Sequence, residues 1–152
     1  MIYEDRLTSE IEKKARKTLG KAFAPGEIDA TILQTFDYEY PESPIAIEHK
    51  TQEFTCLCPY SGLPDFANLT IKYIPLKKCI ELKSLKYYLY AFRQIKIFNE
   101  HVINKILKDL VKILKPRQME IIAEFTSRGG ISNKLTANYK KRKTESRKRT
   151  AF

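Results

Sequence analysis

The sequence has no glycine-rich GxGxxG or GxxxxGK stretch, so neither of the common phosphate-cradling loops is present. No apolar run approaches the ~20 residues that a membrane-spanning helix needs. Residues 1–6 carry charges with no apolar region behind them, so a soluble cytoplasmic protein is expected. Three cysteines are an odd number, and Cys56 and Cys58 stand too close to brace anything large. That excludes a disulfide scaffold and fits a reducing compartment. The histidines, His49 and His101, are far apart, and Cys56-Leu57-Cys58 has one intervening residue. Chelating knuckles use about two to four, so no metal site is expected. No internal repeat is visible.

What is present is a chain of 152 residues, 43% hydrophobic, enough for one domain with a real core. The net charge of +10 is unevenly spread. Residues 140–152 hold Lys140, Lys141, Arg142, Lys143, Arg147, Lys148 and Arg149 against Glu145, a net +6, and the rest of the chain carries about +4. A single domain over 1–139 with a basic, solvated tail over 140–152 follows. Contact of that tail with RNA or another polyanion stays open.

Ser9 with Glu12 three residues later fits a capping box near the start. An early strand is expected within 28–40, a turn between Pro41 and Pro44, and extended pieces over 45–50 and 54–58. Ala67, Leu69, Ile71 and Tyr73 alternate with Asn68, Thr70 and Lys72, a half-buried antiparallel strand that Pro75 ends. A short strand is expected over 79–83, then a helix over 85–94 with Ser84 as its cap. Val102, Ile103, Ile106, Leu107, Leu110, Val111 and Leu114 recur at helical spacing up to Pro116. Asn99 reads as that helix's N-cap, with Glu100 favoured in the first turn by its charge. Met119, Ile121, Ala123 and Phe125 form another alternating strand, and Arg128-Gly129-Gly130-Ile131 turns into a last one. Strands grouped around two helices indicate an α+β fold with an antiparallel sheet.

One constellation stands out. Phe54, Cys56 and Cys58 alternate up to Pro59, Ser61-Gly62 and Pro64 force a turn, and Asp65 follows. A thiol at the end of a rigid element with a carboxylate returning toward it suits a nucleophile served by a proton donor. Cys56, deeper in the strand, reads as packing. Farther on, Glu81-Leu82-Lys83-Ser84-Leu85-Lys86 sets two lysines three apart near a helix start, where backbone N–H groups would add to their pull on phosphate.

These pieces in this order resemble the NADPH-dependent 7-cyano-7-deazaguanine reductases, the nitrile reductases of queuosine biosynthesis, in their short single-module form. The matching residues are Phe54-Thr55, Leu57-Cys58-Pro59, Gly62, Pro64-Asp65-Phe66-Ala67, Tyr73-Ile74-Pro75, Glu81 to Lys86, Phe92-Arg93, Phe98, Glu100, Phe125-Thr126 and Arg128 to Ile131. The resemblance implies a tunnelling fold: an antiparallel sheet with two helices on one face, assembling into ring-like barrels. It implies a homo-oligomer with active sites between subunits. It also implies reduction of a nitrile on a deazapurine to a primary amine by two NADPH, through a covalent thioimide on Cys58, with Asp65 as proton donor. Glu100, Phe98 and Glu81 would bind substrate, while Lys83, Ser84, Lys86 and Arg128 would bind the cofactor. Many relatives carry histidine where this chain has Asn99, which hydrogen-bonds but carries no proton near neutral pH. His101 falls elsewhere on a helix. Two rivals are a cyclohydrolase-like or pterin-synthase enzyme of the same fold, and a basic RNA-binding protein.

Overall fold

The computed structural model describes residues 10, 11, 13, 14 and 27–141. Ser9 and Glu12 of the expected capping box lie outside the described residues, as does the tail beyond 141.

A four-stranded antiparallel sheet is the frame, in the order β2-β3-β5-β6. Its strands are β2 (Ile47–Leu57), β3 (Pro64–Ile74), β5 (Gln118–Arg128) and β6 (Ile131–Lys140). A separate ribbon pairs β1 (Thr35–Asp37) with β4 (Lys78–Ile80). Two helices, α1 (Leu82–Ala91) and α2 (Asn99–Leu114), lie on one face of the sheet. The class is α+β, as expected. Among the described residues no helix is long and apolar enough to cross a membrane.

The core follows from period. On β3, Asp65, Ala67, Leu69, Ile71 and Tyr73 are buried, and the residues between them face outward or sit half-exposed. Met119, Ile121, Ala123 and Phe125 repeat the pattern on β5. Against this face α2 buries Val102, Ile103, Ile106, Leu107, Leu110 and Leu114. Six such side chains, at about 1.5–3 kcal/mol each, contribute on the order of 10 kcal/mol of gross burial free energy.

Several boundaries differ from the sequence reading. The early strand is short, because Asp29 Oδ1 accepts from the Thr31 N–H and hydroxyl and starts a 3-10 turn over Ala30–Ile32 first. The extended pieces before Cys58 are one strand, with an irregularity between Thr51 and Phe54. The short strand after Pro75 stops at Ile80, leaving Lys83 in the helix.

Ser84 does not cap α1. Glu81 does, its carboxylate accepting from the N–H groups of Lys83 (2.8 Å) and Ser84 (2.6 Å). A charged acceptor suits the positive end of a helix better than a hydroxyl does. Nor does Asn99 cap α2. Phe98 holds that position in extended backbone, with no side-chain cap. The reason is tertiary: Ile97 N–H donates to Leu57 C=O (3.0 Å), which keeps the chain extended until residue 98. At the other end, Lys140 is still within β6 and Lys141 N–H donates to Arg117 C=O, so pairing runs past residue 139.

Candidate active site

The hairpin between β2 and β3 places the thiol. Leu57, the last residue of β2, is held on its outer side by Ile95 and Ile97: its N–H donates to Ile95 C=O at 2.8 Å, and its C=O accepts from Ile97. The next residue is Cys58. Its N–H donates to Leu63 C=O (2.8 Å), and its C=O accepts from Gly62 N–H (2.9 Å). Gly62 has φ +69°, a left-handed conformation that costs glycine least. The loop is therefore closed on itself, with Cys58 at its base.

The loop also sets the chemistry of the sulfur. The Ser61 hydroxyl and N–H, then the Tyr60 N–H, hydrogen-bond it; Arg128 adds a weaker contact. These donors favour the thiolate and bring the Cys58 pKa down to about 7, below the ordinary thiol range. Cys58 is half-buried. Cys56, two residues back, is 0% exposed, and burial pushes its thiol up to about 12, with Asp65 adding to the rise. Two neighbouring cysteines thus have opposite character.

Asp65 sits inside β3, and its direct cross-strand partner is Cys56. It is 7% exposed. Arg128, at the end of β5, forms an ion pair with its carboxylate and donates to Pro64 C=O at 3.2 Å. Arg128 was expected to hold cofactor. The structure gives it partners at the nucleophile end, against both Cys58 and Asp65.

The bridge from Leu57 to 95–97 leads straight into the start of α2, so Phe98 and Glu100 share this end of the molecule. Phe98 is 41% exposed and meets Tyr60 edge-to-face at 5.6 Å and His101 at 5.8 Å. Glu100 is exposed in the first turn of α2. Asn99 Oδ1 is buried with no partner among the described protein atoms. Tyr60 is 88% exposed beside Phe98. The sequence reading passed over both Tyr60 and the Ser61 hydroxyl. A serine three residues after a cysteine, in a turn ending in glycine, is the signal that points to a donor for the sulfur.

The second group of expected site residues is elsewhere. Glu81 borders a cavity with Phe36, His49 and Tyr73, and Lys86 borders one of about 230 Å³ with His49, Phe54 and Leu89. The lining of the Lys86 cavity runs along β2 from His49 to Phe54, and Phe54 lies four residues, about 13 Å of extended chain, before Cys58. One chain therefore brings Cys58, Asp65, Arg128, Phe98 and Glu100 to one end and leaves Glu81 and its lysines toward the other. Ser84 is fully buried: its hydroxyl donates to Glu81 C=O (2.7 Å) and accepts from Gln34 N–H (2.9 Å). It can shape a phosphate site by fixing the helix start, and its hydroxyl has no free face for a ligand. The Lys83 and Ser84 N–H groups are already occupied by Glu81, so the helix end offers them to no phosphate. Lys86 Nζ lies over the Tyr87 ring at 4.8 Å, on the exposed face of α1. The lysine side chains, rather than the backbone, are what fits a nucleotide phosphate here.

Comparison with known proteins places the chain in a family. Residues 64–144 match the family model described as "QueF-like protein". The chain is 54% identical to the NADPH-dependent 7-cyano-7-deazaguanine reductase of Thermoanaerobacter pseudethanolicus over 117 residues, 77% of this chain and 88% of that protein. This chain belongs to the QueF-like family. The family member is also 54% identical over 115 residues to the reductase of the same name in Caldicellulosiruptor bescii (76% of this chain, 88% of that protein). With that of Chloroherpeton thalassium it shares 53% over 112 residues (74% and 97%). A span of 117 residues cannot avoid 36–117 of this chain, so it takes in the Cys58 loop, α1 and the start of α2. Among solved structures, the QueF-like chain superposes on the apo form of an archaeosine synthase QueF-Like with TM-score 0.59. That match has 20% identity and covers 63% of this chain and 94% of the other. The likeness is one of fold, and it bears out the tunnelling-fold expectation for the single chain.

Proposed function

We propose that this protein is an NADPH-dependent reductase of 7-cyano-7-deazaguanine, reducing its nitrile to a primary amine in the cytoplasm for queuosine synthesis in tRNA. The single observation that carries the reading is a half-buried Cys58 with a pKa of about 7, joined to buried Asp65 through Arg128, in a chain 54% identical to enzymes of that name.

Cys58 attacks the nitrile carbon as thiolate: the S–C bond forms, one C–N π bond breaks, and the nitrogen takes up a proton. Asp65, having first taken the Cys58 thiol proton, delivers it there. The covalent thioimide is a better hydride acceptor than the triple bond, and after the first reduction the S–C bond breaks, Cys58 leaves as thiolate, and the imine that remains takes the second. NADPH, when bound, supplies hydride, two equivalents for four electrons. Glu100 accepts from the N–H edge of the heterocycle, with Phe98 packing on the ring and Glu81 contributing a second carboxylate. Lys83 and Lys86 would hold the cofactor's phosphate, and Arg128, at the Cys58 end, would contact phosphate there.

The separation of the two residue groups supports a site made from two copies. β2 and β6 are the sheet edges among the described strands, and edges are the natural seams for joining subunits into a ring. The α1 end of one copy would then complete the Cys58 end of the next.

Incubation with NADPH and 7-cyano-7-deazaguanine tests the proposal through absorbance loss at the nicotinamide band. Two NADPH per nitrile are expected, with no turnover by Cys58→Ala. An inert wild-type protein would overturn it.

A further inference from the structure

Arg128 stands where the sheet is deliberately irregular. The β5–β6 ladder shifts by one residue between Phe125 and Arg128, and the hairpin closes through Gly129 (φ +55°) and Gly130 (φ +78°). Ala67 pairs with Phe125, so an unbroken ladder would set Ser127 opposite Asp65. The pairing with β3 is recorded only as far as Phe125, so Arg128 lies beyond it, at the irregular end of β5. Its guanidinium then reaches the Asp65 carboxylate, the Pro64 carbonyl and the Cys58 sulfur.

We propose that Arg128 is a positioning residue for the nucleophile, its guanidinium serving as the shared cation of the Cys58 sulfur and the Asp65 carboxylate before any substrate arrives. This rests on the reductase reading and adds to it, since that reading uses Arg128 only as a phosphate contact. The charged and titratable groups around the sulfur are Cys56 on β2, Asp65 on β3 and Arg128 on β5, and Lys96 lies against the loop at Gly62. At Cys56, Asp65 and the Cys58 sulfur both favour the protonated thiol and Arg128 opposes them. At Cys58, Arg128 joins the Ser61 and Tyr60 donors in favouring the thiolate. Without it, the sulfur and the carboxylate lose the one cation that contacts both.

The test needs neither NADPH nor nitrile. Full-length protein is alkylated with iodoacetamide across pH, and modification of Cys58 is followed by mass spectrometry of its peptide. Arg128→Gln should move the midpoint up, by less than Ser61→Ala does, and Arg128→Lys should restore most of the shift. An Arg128→Gln profile identical to wild type, with only weaker NADPH binding, would overturn the proposal and leave Arg128 a phosphate ligand. Should Arg128→Gln fail to fold, Asp65→Asn decides. Removing the anion that competes for Arg128 should lower the midpoint, and an unmoved midpoint counts against the shared cation. A wild-type protein that turns over no nitrile would sink the reductase reading while leaving the alkylation profile to stand or fall by itself.

Discussion

Cys56 and Cys58 are the same residue type two positions apart, and their surroundings give them different chemistry. The first is enclosed by the sheet and the carboxylate of Asp65, which keep its proton on. The second is at a loop whose own N–H groups and serine hydroxyl stabilise negative sulfur. The sign is simple. Donors favour the charged form of an acid, so the pKa falls, and near pH 7 about half the thiol is thiolate. Alkylation of Cys58 should therefore be half-maximal near pH 7 and fall about tenfold per unit below pH 6. Ser61→Ala should raise that midpoint. A profile centred where ordinary thiols titrate, above pH 8, would contradict the loop's role. Cys56→Ala should keep most of the activity that Cys58→Ala abolishes, and steady-state NADPH consumption separates the two. Glu100→Ala should weaken nitrile binding by about 1–3 kcal/mol, because it leaves ligand donors unpaired. Calorimetric titration of the Cys58→Ala background reads this without turnover.

Helix starts are set by whichever acceptor reaches the free N–H groups first. In α1 the Glu81 carboxylate reaches two of them, so the Glu81→Ala protein should lose about 1 kcal/mol in urea unfolding. That loss is separate from any effect on substrate binding and is measurable without ligand. Helix α2 ends at Lys115, a non-glycine residue at φ 45°, ψ 53°. Left-handed backbone costs a β-carbon about 1 kcal/mol, so Lys115→Gly should raise stability by a few tenths to about 1 kcal/mol. A lower urea midpoint would show that the lysine side chain contributes more than its backbone costs. At this scale most of the fold is legible in the sequence. The alternations of β3 and β5 and the apolar stripe of α2 name their buried faces residue by residue. The caps are less legible, because Ser84 and Asn99 have the right chemistry and the wrong neighbours. One is occupied by Glu81 C=O and Gln34 N–H, and the other is carried into the helix by the Leu57–Ile97 bond.

The whole molecule divides its candidate site. The nucleophile end and the Glu81–Lys86 end are separated along β2, so a single copy is expected to be incomplete. Mixed oligomers test this. Cys58→Ala and Lys86→Ala proteins, each impaired alone, should regain activity when dissociated and reassembled together, because some sites then draw an intact half from each copy. No recovery, with mixing verified by native mass spectrometry, would argue for a site within one chain.

The sequence by itself determined the period of β3, β5 and α2 and the turn at Ser61-Gly62. These depend on neighbours a few residues away, where backbone geometry alone decides what faces what. Only the tertiary structure decided that Arg128 meets Asp65 and Cys58, that segment 95–97 carries Phe98 and Glu100 to the same loop, and that Glu81 and Lys86 lie apart from them. Those contacts join residues dozens of positions distant. They follow from strand register and a one-residue bulge, where a slip of one place would turn each side chain to the other face of the sheet.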